Sequence, residues 1–193
     1  MISIVLPSYK EPRIYETMRI AKDLFPDAQV IISPDDKGQG KGWAVRKGVL
    51  ASLGEIIIFI DGDGNIHPRM IKRLLPFLED YDVVVGSKGI GNLPFNRKII
   101  TLLSRVYIRT MFGLSINTQT GIKAFNKNKI LPWMSSHFVF DIELLYKLKH
   151  LGVRMIEVPI EVKNIGSKSL KILWGAFIDS LEIWWRLNVT TRK

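Results

Sequence analysis

Residues 54–68, Gly-Glu-Ile-Ile-Ile-Phe-Ile-Asp-Gly-Asp-Gly-Asn-Ile-His-Pro, constrain the fold more than any other stretch of the chain. Ile56–Ile60 is an unbroken run of β-branched and aromatic residues without polar alternation. Such a run suits a strand buried on both faces, in the middle of a parallel sheet covered by helices. It stops at Asp61-Gly62-Asp63-Gly64-Asn65. Two carboxylates at i and i+2, on a backbone loosened by two glycines, can converge on one hard cation, and Asn65 adds a neutral oxygen. Open α/β sheets bind ligands outside the carboxyl ends of their strands. A divalent ion held there by few protein groups keeps positions open for substrate phosphates. For a bare Asp-x-Asp the plainer alternative is a turn after a buried strand; the flanking sequence favours the site.

The rest of the chain alternates in the same style. Apolar runs at 2–6, 29–32, 81–85 and 154–162, and one ending near Phe125, read as strands. Helical patterns occupy 14–25, 43–52, 70–78, 97–112 and 140–150; in the first of these Ile14, Met18, Ala21 and Phe25 share one face. Strands alternating with helices imply a doubly wound α/β domain. Polar residues gather just past the strand ends: Pro7-Ser8-Tyr9-Lys10-Glu11 after the first and Asp35-Asp36 after the second. Lys37-Gly38-Gln39-Gly40-Lys41-Gly42 then opens a helix, and a glycine-rich loop at a helix N-terminus offers backbone N–H groups to an anion. It matches neither the P-loop pattern nor the complete Gly-x-Gly-x-x-Gly fingerprint.

With 193 residues the chain is expected to form one domain with a real core. The net charge of +10 points to an anionic partner. Without cysteine, disulfides and thiolate metal sites are excluded. Met1 leads directly into a strand, so no signal peptide is expected, and no stretch offers the ~20 uninterrupted apolar residues of a spanning helix. Residues 97–112 form a basic amphipathic helix, with Lys98, Thr101, Arg105 and Arg109 on one face and Ile99, Leu102, Leu103 and Val106 on the other. Residues 167–188 set Lys168, Lys171, Asp179, Glu182 and Arg186 against a broad apolar face that includes Trp174, Phe177, Ile178, Trp184 and Trp185. Tryptophan favours the membrane–water interface. This helix is expected either to lie on an anionic membrane surface or to pack on the domain or a dimer interface. The expected division is a domain over 1–166 and an amphipathic helix over 167–193.

Taken in order, several blocks resemble the GT-A glycosyltransferases of family 2. They are Pro7-Ser8-Tyr9-Lys10-Glu11, Asp35-Asp36, Gly40-Lys41-Gly42 with Ala44 and Gly48, Asp61-Gly62-Asp63-Gly64-Asn65 with His67-Pro68, Gly86-Ser87-Lys88 and Thr118-Gln119-Thr120-Gly121. Phe140-Asp141-Ile142-Glu143-Leu144-Leu145 and Glu157-Val158-Pro159 narrow the resemblance to dolichyl- or polyprenyl-phosphate sugar synthases. It covers nearly the whole chain. It implies a mostly parallel sheet flanked by helices, and metal-dependent, inverting transfer of a hexose from a nucleotide-sugar of the GDP-mannose or UDP-glucose type to a polyprenyl or dolichyl phosphate.

By position, the resemblance places Pro7, Tyr9, Glu11 and Asp35 around the base and ribose of the donor, with Asp36 and Lys41 nearby. Asp61, Asp63 and Asn65 would hold Mg2+ or Mn2+ against the diphosphate. Lys88, Arg97 and Thr101 match positions that bind the acceptor phosphate, so the catalytic set is Asp63, Lys88 and Arg97. Asp141 and Glu143 would sit near the sugar and acceptor, or simply complement the dipole at the start of their helix. A phosphate acceptor is already an anionic nucleophile and needs cations to position it, whereas a sugar hydroxyl would require a base. No strong candidate for that base stands between Lys88 and Gly121. The implied location is the cytoplasmic face of a membrane, peripherally bound, with no nucleic-acid partner and with a homodimer compatible.

The chain departs from the resemblance in three places. Only Lys37-Gly38-Gln39 separates Asp36 from the Gly-Lys-Gly block, where the family normally has a helix and a strand. The missing strand would belong at a sheet edge, so its loss abbreviates the nucleotide-binding half without opening the middle. Asn117 replaces a common aspartate, and Lys88 a commoner arginine with its planar fork. Rival readings are a family 2 enzyme with a hydroxyl acceptor, a haloacid-dehalogenase-like phosphatase using Asp61 and Asp63, and a non-catalytic basic membrane-binding module. The phosphatase motif belongs on a first strand, and clustered carboxylates are badly placed to grip phosphates without a metal.

Overall fold

The computed structural model describes residues 1–36, 38–89, 95–116, 118, 120–130, 140–163 and 170–188, with the side chains of 96, 97 and 170–173 also outside the description. The strands are β1 (Ile2–Ser8), β2 (Gln29–Pro34), β3 (Ile56–Ile60), β4 (Val83–Lys88), β5 (Ile122–Asn126) and β6 (Met155–Ile160). The helices are α1 (Ile14–Leu24), α2 (Lys41–Leu50), α3 (Ile71–Leu74), α4 (Phe95–Phe112), α5 (Lys127–Ile130), α6 (Phe140–His150) and α7 (Leu170–Asn188). One six-stranded sheet runs in the order β2-β1-β3-β5-β4-β6. β1 is parallel to β2 and β3, and β4 to β6, while β5 runs antiparallel between β3 and β4.

β3 has the expected two-sided burial. Ile57 and Phe59 join one core layer, with Val5, Val85, Phe112 and Phe140. Ile58 and Ile60 join the other, with Leu6, Ile14, Met70 and Ile122. The period-2 alternation of a strand puts its side chains on opposite faces, and each such buried aliphatic or aromatic side chain contributes about 1.5–3 kcal/mol. β2 stands at one edge of the sheet, and the chain passes from it through a short loop into α2. The abbreviation therefore falls at an edge, as the sequence implies.

Two local features differ from the expectation. The helical pattern at 70–78 is broken into a 3-10 turn (Pro68–Met70), α3 and a second 3-10 turn (Leu75–Glu79). Pro76 cannot donate to the helical ladder, so the α-helix stops before it. The direction of β5 is also new: its register sets Lys123 opposite both Phe59 and Val85, in the centre of the sheet.

α7 packs along α4. Trp184 Nε1 donates to Met111 O at 3.0 Å, Tyr107 and Ser180 hydroxyls lie 3.0 Å apart, and the Tyr107 and Phe177 rings are separated by 5.2 Å. Trp184 thus faces the core, while Trp174 and Trp185 remain 66% and 60% exposed, with Ile178 beside them. On α4 the apolar side named from the sequence is also outside: Leu102, Leu103 and Val106 are exposed, whereas Ile108 and Phe112 are buried. Among the described residues no helix is long and apolar enough to cross a membrane.

Candidate functional site

A cavity of about 510 Å³ opens at the carboxyl ends of β1 and β3. Pro7, Tyr9, Glu11, Asp35, Lys41, Asp61 and Asp63 line it, together with Ser8, Gly38, Gly40, Ala44 and Gly62. The sequence named the first seven; the structure brings them to one place.

Asp35 builds the wall between β2 and α2. It is buried, and its two carboxylate oxygens accept from the backbone N–H groups of Gln39 and Gly40, each at 2.7 Å. Gly40, at φ 100°, provides the left-handed turn that aims these amides inward. α2 begins at the next residue, and the Lys41 ammonium reaches Asp61 Oδ1 at 2.6 Å. Burial pushes the Lys41 pKa down, but Asp61, Asp141 and Asp63 together outweigh it, so the net shift is upward and the cation is secured.

The carboxylate turn is held from several sides. Asp61 N donates to Gly121 O at 2.8 Å, and a Cβ at 121 would overlap the Asp61 carboxylate, so only glycine allows this approach. Thr17 Oγ1 donates to Gly62 O at 3.1 Å. Asp63 accepts from Asn65 N at 3.0 Å and from Asn65 Nδ2 at 2.7 Å, an Asx turn closed by Gly64 at φ 71°. Next to it, neutral His67 caps the following 3-10 turn, its Nδ1 accepting from Arg69 N at 3.1 Å. Burial, then Lys163 and Arg69, lower its pKa.

Behind the turn lies a residue that the sequence analysis did not single out. Lys123 is fully buried; its Nζ donates to Thr120 O and to Asp141 Oδ1, both at 2.8 Å. Its ammonium and that of Lys41 both lie against the Phe59 ring, 5.0 and 5.9 Å from the centroid. Burial lowers the Lys123 pKa, Asp141 pulls it back only in part, and Lys41 lowers it further. The available signal was a lysine alternating into the apolar strand Ile122–Asn126.

The other named residues are placed as follows. Glu11 Oε1 accepts from Arg13 N at 3.1 Å at the cavity rim, and Asp36 is exposed outside the lining. Lys88 ends β4 and Thr101 lies on α4; both are half-buried and neither lines the cavity. The side chain of Arg97 and the whole of Asn117 lie outside the described residues. Asp141 and Glu143, two residues apart on α6, diverge: Asp141 joins Lys123, while buried Glu143 accepts from Lys147 at 2.6 Å and from Arg186 of α7 at 2.8 Å.

Among the described residues no three His, Asp or Glu side chains stand close enough to hold a metal by themselves. The donor set nevertheless fits a hard divalent ion that draws most of its ligands from a substrate: Asp61 and Asp63 are oxygen donors on one glycine turn, and Asp61 already binds the Lys41 cation.

Comparison with known proteins identifies the family. Residues 14–110 match the Glycosyl transferase family 2 domain. An undecaprenyl-phosphate mannosyltransferase of Micrococcus luteus is 25% identical over 162 residues, covering 78% of this chain and 61% of the relative. A dolichyl-phosphate beta-glucosyltransferase of Trichomonas vaginalis is 30% identical over 167 residues, covering 77% and 49%. The chain thus spans roughly half the length of the relatives it matches. Glucosyl-3-phosphoglycerate synthase from Mycobacterium tuberculosis, solved with Mn2+ and UDP-glucose, superposes with a TM-score of 0.76 at 18% identity, over 96% of this chain and 78% of that one. At that identity the likeness speaks to the fold. With the domain match running through α1, α2, the carboxylate turn and most of α4, the chain belongs to glycosyl transferase family 2.

Proposed function

We propose that the chain transfers a hexose, with inversion, from a nucleotide-sugar of the UDP-glucose or GDP-mannose type to a polyprenyl or dolichyl phosphate. The observation that carries this is the convergence of Lys41, Asp61 and Asp63 on one cavity at the strand ends. The names of the relatives, which act on undecaprenyl or dolichyl phosphate, support the acceptor class. The Mn2+ and UDP-glucose in the structural neighbour support the donor and the ion.

Each residue then has a task. Tyr9, 61% exposed at the rim, offers its ring to the base, and Glu11 and Asp35 offer carboxylate oxygens to base and ribose, with Asp36 at the outer edge. Asp61, Asp63 and Asn65 would hold Mg2+ or Mn2+. When bound, the ion neutralises charge on the departing diphosphate as a Lewis acid. Lys41 adds a second cation for the phosphates. Lys88, Arg97 and Thr101 hold the acceptor phosphate, which needs no base. A hydroxyl acceptor would need one, and Asp141 is a poor choice because Lys123 already takes one of its oxygens.

The same reading accounts for the outer surface. Leu102, Leu103 and Val106 on α4, and Trp174, Ile178 and Trp185 on α7, are exposed on two helices that pack together. Lys98, Arg105 and Arg109 lie on α4 beside them. Such a face suits peripheral contact with the cytoplasmic, anionic side of a membrane, with α7 joined to the catalytic unit through one flank.

Thermal melting with UDP or GDP, with and without Mn2+, tests the assignment. Nucleotide stabilisation that requires Mn2+ is the expected result. Stabilisation by inorganic phosphate alone, with no nucleotide effect, would favour a phosphatase, and no effect of either would favour a non-catalytic module.

A further inference from the structure

Among the described residues Lys123 is the one fully buried lysine. A lysine is almost never fully buried unless it is paired. Its hydrogen bonds to Thr120 O and Asp141 Oδ1 join two separate segments, the turn before β5 and the first turn of α6. The turn it holds is also the one whose Gly121 abuts Asp61. The hydroxyl of Thr120 in that turn is buried with no hydrogen-bond partner among the described residues. Asp141 keeps 14% of its side chain exposed; it is not among the residues lining the cavity, but the Lys123 ammonium it binds shares the Phe59 ring with the ammonium of Lys41, a cavity residue. Asp141 is therefore close to the cavity but is steered from below, by a group that no solvent reaches.

We propose that Lys123 is a positioning residue for the donor sugar: it fixes one Asp141 oxygen so that the other is presented to the sugar hydroxyls. This rests on the transferase reading above. Charge gives the arrangement its logic. An unneutralised carboxylate in this place would repel the diphosphate of the donor, as well as Asp61 and Asp63, and would turn away to water. Pairing it with a buried cation lets it stay beside those anions. A hydrogen-bond acceptor held against a sugar hydroxyl discriminates the nucleotide-sugar from the bare nucleotide diphosphate, so Lys123 acts on sugar recognition and leaves nucleotide recognition to Tyr9, Glu11 and Lys41.

Calorimetry with Mn2+, using UDP, GDP, UDP-glucose and GDP-mannose as titrants, tests this on the wild type, Lys123→Met, Asp141→Asn and the double variant. Lys123→Met should weaken the preferred nucleotide-sugar at least tenfold while changing the matching nucleotide diphosphate less than twofold. Asp141→Asn should do the same, and the double variant should be no weaker than Asp141→Asn alone. A purely structural lysine would shift both titrants together. If Lys123→Met retains both affinities within twofold, or if the two losses multiply in the double variant, the proposal is overturned. If Lys123→Met does not fold, the double variant decides, because removing both charges leaves none uncompensated. Equality with Asp141→Asn supports the role, and a further tenfold loss overturns it. A wild type that binds none of the four titrants overturns the transferase reading itself, and this inference with it.

Discussion

Lys41 Nζ lies 2.6 Å from Asp61 Oδ1, joining the first residue of α2 to the first residue beyond β3 across the cavity. The pair connects two features that sit twenty residues apart in the sequence, the glycine-rich loop and the carboxylate turn. It gives the site a cation before any ligand arrives, and that cation is held by the same carboxylate proposed to bind a metal.

Lys41→Met should therefore weaken nucleotide diphosphate binding. A hydrogen bond to a charged group contributes about 1.5–3 kcal/mol, which is roughly ten- to hundredfold in affinity. Both side chains are partly solvated, so the melting temperature should change little. Calorimetry beside a thermal melt checks both halves; unchanged nucleotide affinity in a folded variant would remove Lys41 from the donor site.

Asp63→Ala should abolish transfer and leave the fold intact. Among the described residues Asp63 bonds only within its own turn, to Asn65, and not to the core. The Mn2+ dependence of nucleotide stabilisation should vanish in the same variant. Wild-type turnover with Mn2+ would contradict the assignment.

The three tryptophans of α7 should separate in a vesicle assay. Trp174→Ser/Trp185→Ser should remove the salt-resistant part of binding to anionic vesicles without lowering the melting temperature, since both side chains are exposed. Trp184→Ser should instead destabilise the fold, because it loses both core packing and the bond to Met111 O. The electrostatic part, from Arg105 and Arg109, should fade as salt shortens the Debye length. Equal effects of all three positions on vesicle binding, with unchanged melting, would refute this division.

Lys123 should leave a signature in alkaline solution. Burial holds its folded pKa below the ordinary value, with Asp141 offsetting this in part and Lys41 adding to it. Between the folded value and the ordinary value of 10.5, the unfolded chain holds a proton that the folded chain does not, so stability rises with pH there. Below the folded value both states are protonated and the full cost of burial is present. Relative to Lys123→Met, the wild type should thus gain stability as pH climbs toward that limit. Urea unfolding across the alkaline range reads it; a difference that stays constant, or moves the other way, contradicts the burial argument.

Much of the site was legible because local chemistry and tertiary position coincide. Asp61 and Asp63 announce themselves where an apolar run ends, and Asp35 and Lys41 flank glycines whose backbone geometry they depend on. The rest depended on what packs against what. Helical periodicity allows Trp184 to face either water or α4, and the Met111 carbonyl settles it. Asp141 and Glu143 read as one motif, but a two-residue offset on a helix sends them apart, one to Lys123 and one to Arg186. The direction of β5 follows from Gly121 closing on Asp61, a contact between segments sixty residues apart that no local pattern encodes.

The most direct test of the whole account is transfer itself. Radiolabelled UDP-glucose and GDP-mannose would each be incubated with the protein, Mn2+ and a polyprenyl phosphate, and label would be counted in the organic phase. The account predicts metal-dependent, acceptor-dependent extraction of sugar from one donor, lost with chelator and in Asp63→Ala. A folded protein that binds the donor yet passes sugar only to water or to hydroxyl acceptors, with none in the lipid fraction, would contradict it.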